Sequence, residues 1–148
     1  MTLANMRRAL LTLMLTGLLV LPGCGSSGKS VSASELAAAC QPALEAKGGY
    51  NLAMSTMSIR FTNAPLRNAT LTATRAFKAR AAHLRTLLSG SDAAEVGRLG
   101  EQLTLVEKLL EAFAANDKAG VKKYGEGLNP GLNGTIAGLE KICRPKKS

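Results

Sequence analysis

The chain has 148 residues and a formal net charge of +9, from 19 lysines and arginines against 10 aspartates and glutamates. Its length allows a single compact domain with one core and excludes a large multidomain protein. Alanine and leucine are abundant, aromatic residues make up only 3%, and a single histidine is present. This composition favours closely packed helices and gives little support to enzymatic acid–base chemistry.

The N-terminal segment has the pattern of an export signal. Arg7 and Arg8 are followed by thirteen uncharged residues, Ala9 to Leu21. A helix of that length is too short to cross a hydrocarbon layer of about 30 Å, but it fits the apolar core of a secretory signal. The segment closes on Leu-Pro-Gly-Cys, which ends at Cys24.

Residues 6–28 resemble the signal of bacterial lipoproteins, in which this closing motif is the lipobox. The resemblance implies cleavage before Cys24, so that residues 1–23 are a signal peptide and the Cys24 thiol carries a lipid. It further implies stable membrane attachment, because two or more acyl chains hold a protein on a bilayer. The alternatives are an ordinary signal peptide cut elsewhere and a retained membrane anchor.

The same resemblance implies a location in the bacterial cell envelope. Gly25 stands where an aspartate would mark retention on the inner membrane. We therefore expect the outer membrane, facing the periplasm, in a Gram-negative organism, and otherwise the outer face of the cell membrane. From their small polar residues we predict that 24–31 is a flexible tether carrying the lipidated cysteine, and that 32–148 is the folded domain.

The three cysteines divide once Cys24 is assigned to the lipid. Cys40 and Cys143 remain, and two cysteines in an oxidising compartment allow one pairing. We predict a disulfide that joins the start of the domain to its end. Closing a loop of this length stabilises a fold by roughly 4–5 kcal/mol. The sequence contains no Cys-x-x-Cys motif of the redox type.

The first predicted helix covers Ser34–Lys47. Ser32 and Glu35 have the spacing of a capping box at its start, and Gly48–Gly49 is expected to end it. Pro42 lies inside this stretch, so we expect a kink there or a later start.

The second predicted helix is long. Asn63 is its expected cap, Pro65 lies in its first turn, and Gly90 stops it after Ser89. Before it, Tyr50–Phe61 fits both helical and strand spacing. We interpret that segment as helical or irregular, because the chain offers no partner strand.

The third predicted helix has the clearest pattern in the chain. Asp92 and Glu95 have capping-box spacing, and Asn116 with Asp117 ends the helix. Between these limits, apolar residues recur at steps of three and four, which is the signature of a bundle seam. They are Val96, Leu99, Leu103, Val106, Leu110 and Phe113.

A fourth helical region extends from Asp117 to Cys143, and Asn129-Pro130-Gly131 should divide or bend it. Its six glycines allow two interpretations, close approach between helices or a mobile segment that orders on a partner. The four regions together predict an all-α fold, a small antiparallel bundle of about four helices closed by one disulfide.

A basic ridge on the second helix is the strongest candidate for a binding surface. At 100° per residue, Arg67, Lys78 and Arg85 fall within about 20° of one another, and Arg75 lies about 80° away. The ridge suits an envelope protein or an anionic envelope polymer as partner. The alternative is a solvated face that pairs with glutamates of the third helix. Nucleic acid is not an expected partner, because export separates the chain from it.

We expect neither enzymatic activity nor a cofactor. Met54, Met57 and His83 are possible soft ligands for a metal or haem, but methionines also pack as ordinary core. The expected function is that of a lipid-anchored module for binding or scaffolding in the cell envelope. The alternative is a periplasmic carrier that holds a lipid, haem or metal in its helical bundle.

Overall fold

The computed structural model describes residues 31–57, 62–128 and 131–144, and the regular structure in them is entirely α-helical. The expectation of an all-α fold is confirmed. The proposed lipidation site, Cys24, lies outside the described residues. The helices are α1 (Ala33–Met57), α2 (Ala64–Thr86), α3 (Gly90–Ala114), α4 (Lys118–Leu128) and α5 (Gly131–Ile142).

The predicted capping box starts α1. The Glu35 backbone N–H donates to Ser32 Oγ at 3.2 Å, and the Ser32 backbone N–H donates to Glu35 Oε2 at 2.9 Å. The hydrogen bonds from Ser32 also lower the pKa of Glu35. Because the helix begins at Ala33, the suggested later start at Pro42 is wrong.

The predicted end of α1 at Gly48–Gly49 is also wrong, since the helix continues to Met57. Tyr50 and Met57 are 2% and 1% exposed, and they extend the buried face on which Cys40 lies. Each glycine weakens a helix by about 1 kcal/mol relative to alanine. Burial of the two large side chains offsets that loss, at about 1.5–3 kcal/mol each.

The start of α2 agrees with the sequence, whereas its end does not. Asn63 is the cap, and its Oδ1 accepts a hydrogen bond from the Leu66 backbone N–H at 3.1 Å. The helix ends at Thr86, before the expected Ser89. Gly90 has a φ of +58° and is the first residue of α3.

The capping box expected at Asp92 and Glu95 is wrong. The cap of helix α3 is Ser89, three residues before Asp92, so Asp92 lies inside the first turn. A carboxylate there still complements the positive end of the helix dipole. Glu95 forms an ion pair with Arg98 within the helix.

Helix α3 is central to the bundle, because α2 packs on one side of it and α4 and α5 pack on another. Five of the six predicted seam residues, from Val96 to Leu110, are at most 2% exposed, and Phe113 is half-buried. This seam is confirmed. The helix ends at Ala114, and Asn116 takes a left-handed φ of 54° in the turn that follows.

Helices α4 and α5 lie along α3 as one interrupted antiparallel helix. Later glycines of α4 and α5 contact earlier residues of α3, which shows the antiparallel direction. The contacts are Gly120 with Ala112, Gly127 with Leu105, Gly131 with Gln102, and Gly138 with Glu95. The described part of α4 ends at Leu128 and α5 begins at Gly131, and two of the three residues of the predicted break, 129 and 130, lie outside the described residues. The described residues therefore form a bundle with four helical positions, and α4 and α5 together occupy the fourth.

A pair of cysteines connects α1 to the residue that follows α5. Cys40 and Cys143 are placed as a disulfide, with their Cα atoms 5.4 Å apart. An ion pair between Lys47 and Glu140 links the same two helices, and it lowers the pKa of Glu140. The predicted cysteine pairing is therefore supported by the fold, and it closes the bundle.

Candidate functional site

The α2 ridge, defined as Arg67, Arg75, Lys78 and Arg85, was the binding surface expected from the sequence. Arg75 Nε donates to an oxygen of Glu107 at 3.0 Å, and a terminal nitrogen of Arg75 donates to Glu111 at 3.2 Å. Lys78 donates to the other oxygen of Glu107. Two of the four ridge cations thus pair with glutamates of α3, as the alternative interpretation expects.

Glu107 is the centre of this ion-pair network. It is only 8% exposed, and burial by itself raises the pKa of its carboxyl group. Hydrogen bonds and attraction from Lys78 and Arg75 outweigh burial, so the pKa lies below the ordinary value of 4.5. Glu107 is therefore ionised at neutral pH and neutralises cations that the sequence presents as a free ridge.

The other two residues of the α2 ridge differ in exposure. The Arg85 guanidinium lies over Gly97 of α3, where its Cζ would be 3.2 Å from an added Cβ, but the residue is exposed. Arg67 is half-buried. The ridge therefore contributes to the contact between α2 and α3, and Arg85 also remains accessible.

A second group of cations lies on α4 and on the neighbouring part of α3, and two of them contact Tyr124. The Nζ atoms of Lys123 and Lys108 lie 5.6 and 5.8 Å from the centre of the Tyr124 ring, within the range of cation–π contact. Lys118 and Lys122 are exposed on the same short helix. We call Lys108, Lys118, Lys122 and Lys123 the lysine cluster.

The lysine cluster differs from the α2 ridge in its charge balance. Within 31–57, 62–128 and 131–144, no ion pair joins any of its four members to a carboxylate. Sequence reasoning missed this cluster. The spacing of Lys118 and Lys122 by four residues was a visible signal, but the approach of Lys108 from α3 requires the fold.

A cleft of about 440 Å³ lies between α1 and α2. Its apolar residues are accompanied by one acid and two basic groups; the lining residues are Glu35, Ala38, Ala39, Pro42, Arg80, His83 and Leu87. Pro42 has no N–H, so the Ala38 carbonyl receives no helical hydrogen bond from it. The cleft thus offers backbone and side-chain polar groups beside an apolar wall.

The possible soft ligands do not assemble into one site. Met57 is buried in the core and Met54 packs against that core, whereas His83 lines the cleft. In the part of the chain that the structure describes, no group of three or more His, Cys, Asp or Glu is arranged to hold a metal. The methionines have the packing role that the sequence left open.

Tyr50 places a phenol group in the core, where the residue is 2% exposed. Its ring packs against Phe77, with the ring centres 5.6 Å apart. Its hydroxyl has no hydrogen-bond partner among the described residues, and burial raises its pKa to about 12. The phenol therefore stays protonated at physiological pH.

The glycines of the fourth region support close helix approach as their main role. Gly120, Gly127, Gly131 and Gly138 all have side chains of other residues within 3.3 Å of where a Cβ would lie. Gly125 and Gly134 face open space.

No family model, no curated protein and no solved structure matches this chain. Among the described residues, no helix combines the length and the apolar character needed to cross a membrane.

Proposed function

We propose that this chain is a lipid-anchored cell-envelope protein whose helical domain is a binding or scaffolding module for an anionic partner. The observation that carries the proposal is the pairing of Cys40 with Cys143. That pairing accounts for two of the three cysteines and leaves Cys24 alone at the end of the export-type segment.

The disulfide supports export because such bonds persist in oxidising compartments outside the cytoplasm. The lipobox-like residues that precede Cys24 support acylation of its sulfur. Acyl chains on Cys24 would hold the domain at the outer membrane, facing the periplasm, or at the outer face of a single cell membrane.

Binding by the domain is supported by its surface charge. Basic residues exceed acidic ones in the chain, and the lysine cluster has no carboxylate partner among the described residues. Unneutralised cations on a folded surface attract anionic groups. An acidic envelope protein and an anionic envelope polymer are the partners that this charge fits.

Metabolic labelling with an alkyne fatty acid tests the anchor. We expect label on the wild-type protein and none on the Cys24→Ser variant. Cys143→Ser is the matched control, because it removes a cysteine but leaves Cys24, and it should remain labelled. Wild-type protein without label, or label that survives in Cys24→Ser, would contradict the anchor.

Crosslinking in intact membranes, followed by purification of the lipoprotein, tests the binding module. We expect a defined anionic partner to copurify and to be released by salt, since exposed charge contacts weaken as ionic strength rises. Recovery of the lipoprotein alone at low salt would contradict a scaffolding role.

The cleft between α1 and α2 favours a second candidate function, the carriage of a small amphipathic ligand. Its volume of about 440 Å³ lies within the usual range for ligand sites. Native mass spectrometry of the purified protein tests this candidate. A bound lipid, haem or metal that is lost in a Leu87→Trp variant would favour the carrier, whereas an empty protein would count against it.

A further inference from the structure

We propose that the lysine cluster, on α4 and the neighbouring part of α3, is the anion-binding surface of this protein, and that its ligand is a phosphate-bearing polymer outside the membrane. This inference rests on the proposed function only in placing the domain where such polymers occur. It moves the binding surface from the α2 ridge to a different face of the bundle.

The first support is the arrangement of ammonium groups on one ring. Lys108 belongs to α3 and Lys123 to α4, yet both Nζ atoms lie within 6 Å of the Tyr124 ring centre. The negative face of an aromatic ring attracts cations. Tyr124 therefore holds two flexible lysines from different helices at one location, which reduces the entropy they lose when an anion binds.

The second support is the excess of positive charge on α4. Lys118 and Lys122 are four residues apart, and like charges at this spacing destabilise a helix slightly. Glu126 is the one acid of α4 and stands four residues after Lys122, so it offsets part of the charge of the three α4 lysines. Asp117 precedes the helix and accepts a hydrogen bond from the Gly120 backbone N–H. A bound polyanion would neutralise the remaining excess.

The third support is the position of the cluster along the bundle. Because neighbouring helices are antiparallel, Val31 and Gly90 lie at the same end. Lys108 is eighteen residues beyond Gly90 in α3, which is about 27 Å along the helix axis, and α4 begins farther still. The lysine cluster thus lies toward the end opposite Val31, the residue through which the domain continues toward the proposed anchor.

The fourth support is the identity of the side chains. Protein–protein interfaces are enriched in arginine and aromatic anchors and depleted in lysine, whereas this surface contains four lysines. In the described part of the chain, the large hydrophobic side chain that is most exposed is Leu52, which lies on α1 and not here. Lysine binds phosphate as a compact point charge, so a hydrated polyphosphate-like chain fits better than a packed protein partner.

Fluorescence anisotropy of the full-length protein in mild detergent, with labelled linear polyphosphate as the probe, tests the inference. We expect saturable binding that weakens steeply with salt, because phosphate contacts release counterions. The variant Lys122→Gln/Lys123→Gln should bind roughly tenfold more weakly, from the loss of two ammonium contacts. Lys141→Gln/Arg144→Gln is the matched control, with the same change in charge on exposed residues outside both candidate sites, and its affinity should change less than twofold.

Three further measurements complete the test. Tyr124→Leu should weaken binding severalfold, and Tyr124→Phe should not, since the second variant keeps the ring. Circular dichroism of each variant establishes that it is folded. Polygalacturonate and phosphatidylglycerol vesicles are the competing probes, and equal or tighter binding of either would overturn a phosphate polymer as the ligand.

Equal affinity of the cluster variant and the wild type would overturn the lysine cluster as the site. If Arg75→Gln/Lys78→Gln weakened binding instead, the α2 ridge would be the surface, and the proposed function would survive without this inference. Absence of acyl label on Cys24 would overturn the anchor alone, because the probe is soluble and its binding does not depend on lipidation.

Discussion

The two sides of α3 use charge in opposite ways. Toward α2, Glu107 is buried and holds both Arg75 and Lys78. Toward α4, Lys108 approaches the Tyr124 ring and has no carboxylate partner in the described residues. Counting basic residues along a helix therefore does not locate available charge, because acids on a neighbouring helix decide which cations remain free.

The two sides also differ in packing. On the α2 side, large side chains such as Phe77 and Leu84 are completely buried. On the α4 and α5 side, glycines bring the short helices close to α3. Side-chain volume stabilises the first contact, whereas the absence of Cβ atoms permits the second.

The largest expected effect comes from removing the disulfide between Cys40 and Cys143, which closes the bundle. Cys40→Ser should lower the free energy of unfolding by about 4–5 kcal/mol, because the bond closes a loop with a sequence separation of 103. Urea unfolding without reductant measures the loss. Cys24→Ser should unfold like the wild type, and an unchanged midpoint in Cys40→Ser would show that the bridge does not form.

The next largest effect should come from breaking the ion pairs between α2 and α3. Glu107→Gln leaves Arg75 and Lys78 without their shared carboxylate, at a cost of about 1–3 kcal/mol. Glu111→Gln is the control, since that side chain is 55% exposed and exposed pairs contribute about 0–1 kcal/mol. Thermal unfolding of both variants measures the difference. Equal losses would mean that burial of Glu107 adds nothing to its ion pairs.

On the side of α3 that faces α4 and α5, alanine substitutions at two glycines should change the free energy of unfolding in opposite directions. A Cβ at Gly120 would collide with Asp117 Oδ2 and lie 3.0 Å from Ala112 Cβ, so Gly120→Ala should destabilise the fold by about 1 kcal/mol through loss of the cap. Gly134 faces open space, so Gly134→Ala should stabilise it by roughly 0.5–1 kcal/mol. Chemical unfolding at pH 7 distinguishes them, and a shared sign would refute the packing role.

The smallest expected effect is a difference in acid sensitivity. The pKa of Glu107 is lowered in the folded state from 4.5, so its contribution is complete above that value and is lost as pH falls through the lowered pKa. Wild-type stability should therefore drop more between pH 5 and pH 3 than that of Glu107→Gln. If the stability of the two proteins fell equally between pH 5 and pH 3, Glu107 would not contribute to acid unfolding.

Local sequence rules predicted much of the fold correctly. The caps at Ser32 and Asn63 depend on residues within three positions, and the α3 seam is a strong repeat over eighteen residues, so each is visible without tertiary context. The predicted end at Gly48–Gly49 failed because burial of Tyr50 and Met57 outweighed the helix-breaking tendency of two glycines.

The candidate site was less predictable, because its contacts join residues of different helices. Glu107 lies 32 residues from Arg75 and 29 from Lys78, and no helical wheel of α2 includes it. The contact between Lys108 and Tyr124 similarly joins two helices. Charges that pair across a helix interface become visible only when the register between the helices is known.

The bond between Cys40 and Cys143 has a mechanical consequence. Suppose the chain were pulled between its first described residues and a point beyond Cys143. Tension would pass from α1 across the bridge and leave the intervening residues unloaded. The bundle would then resist stretching as a covalently closed ring, while a load applied on α4 would still reach its non-covalent contacts.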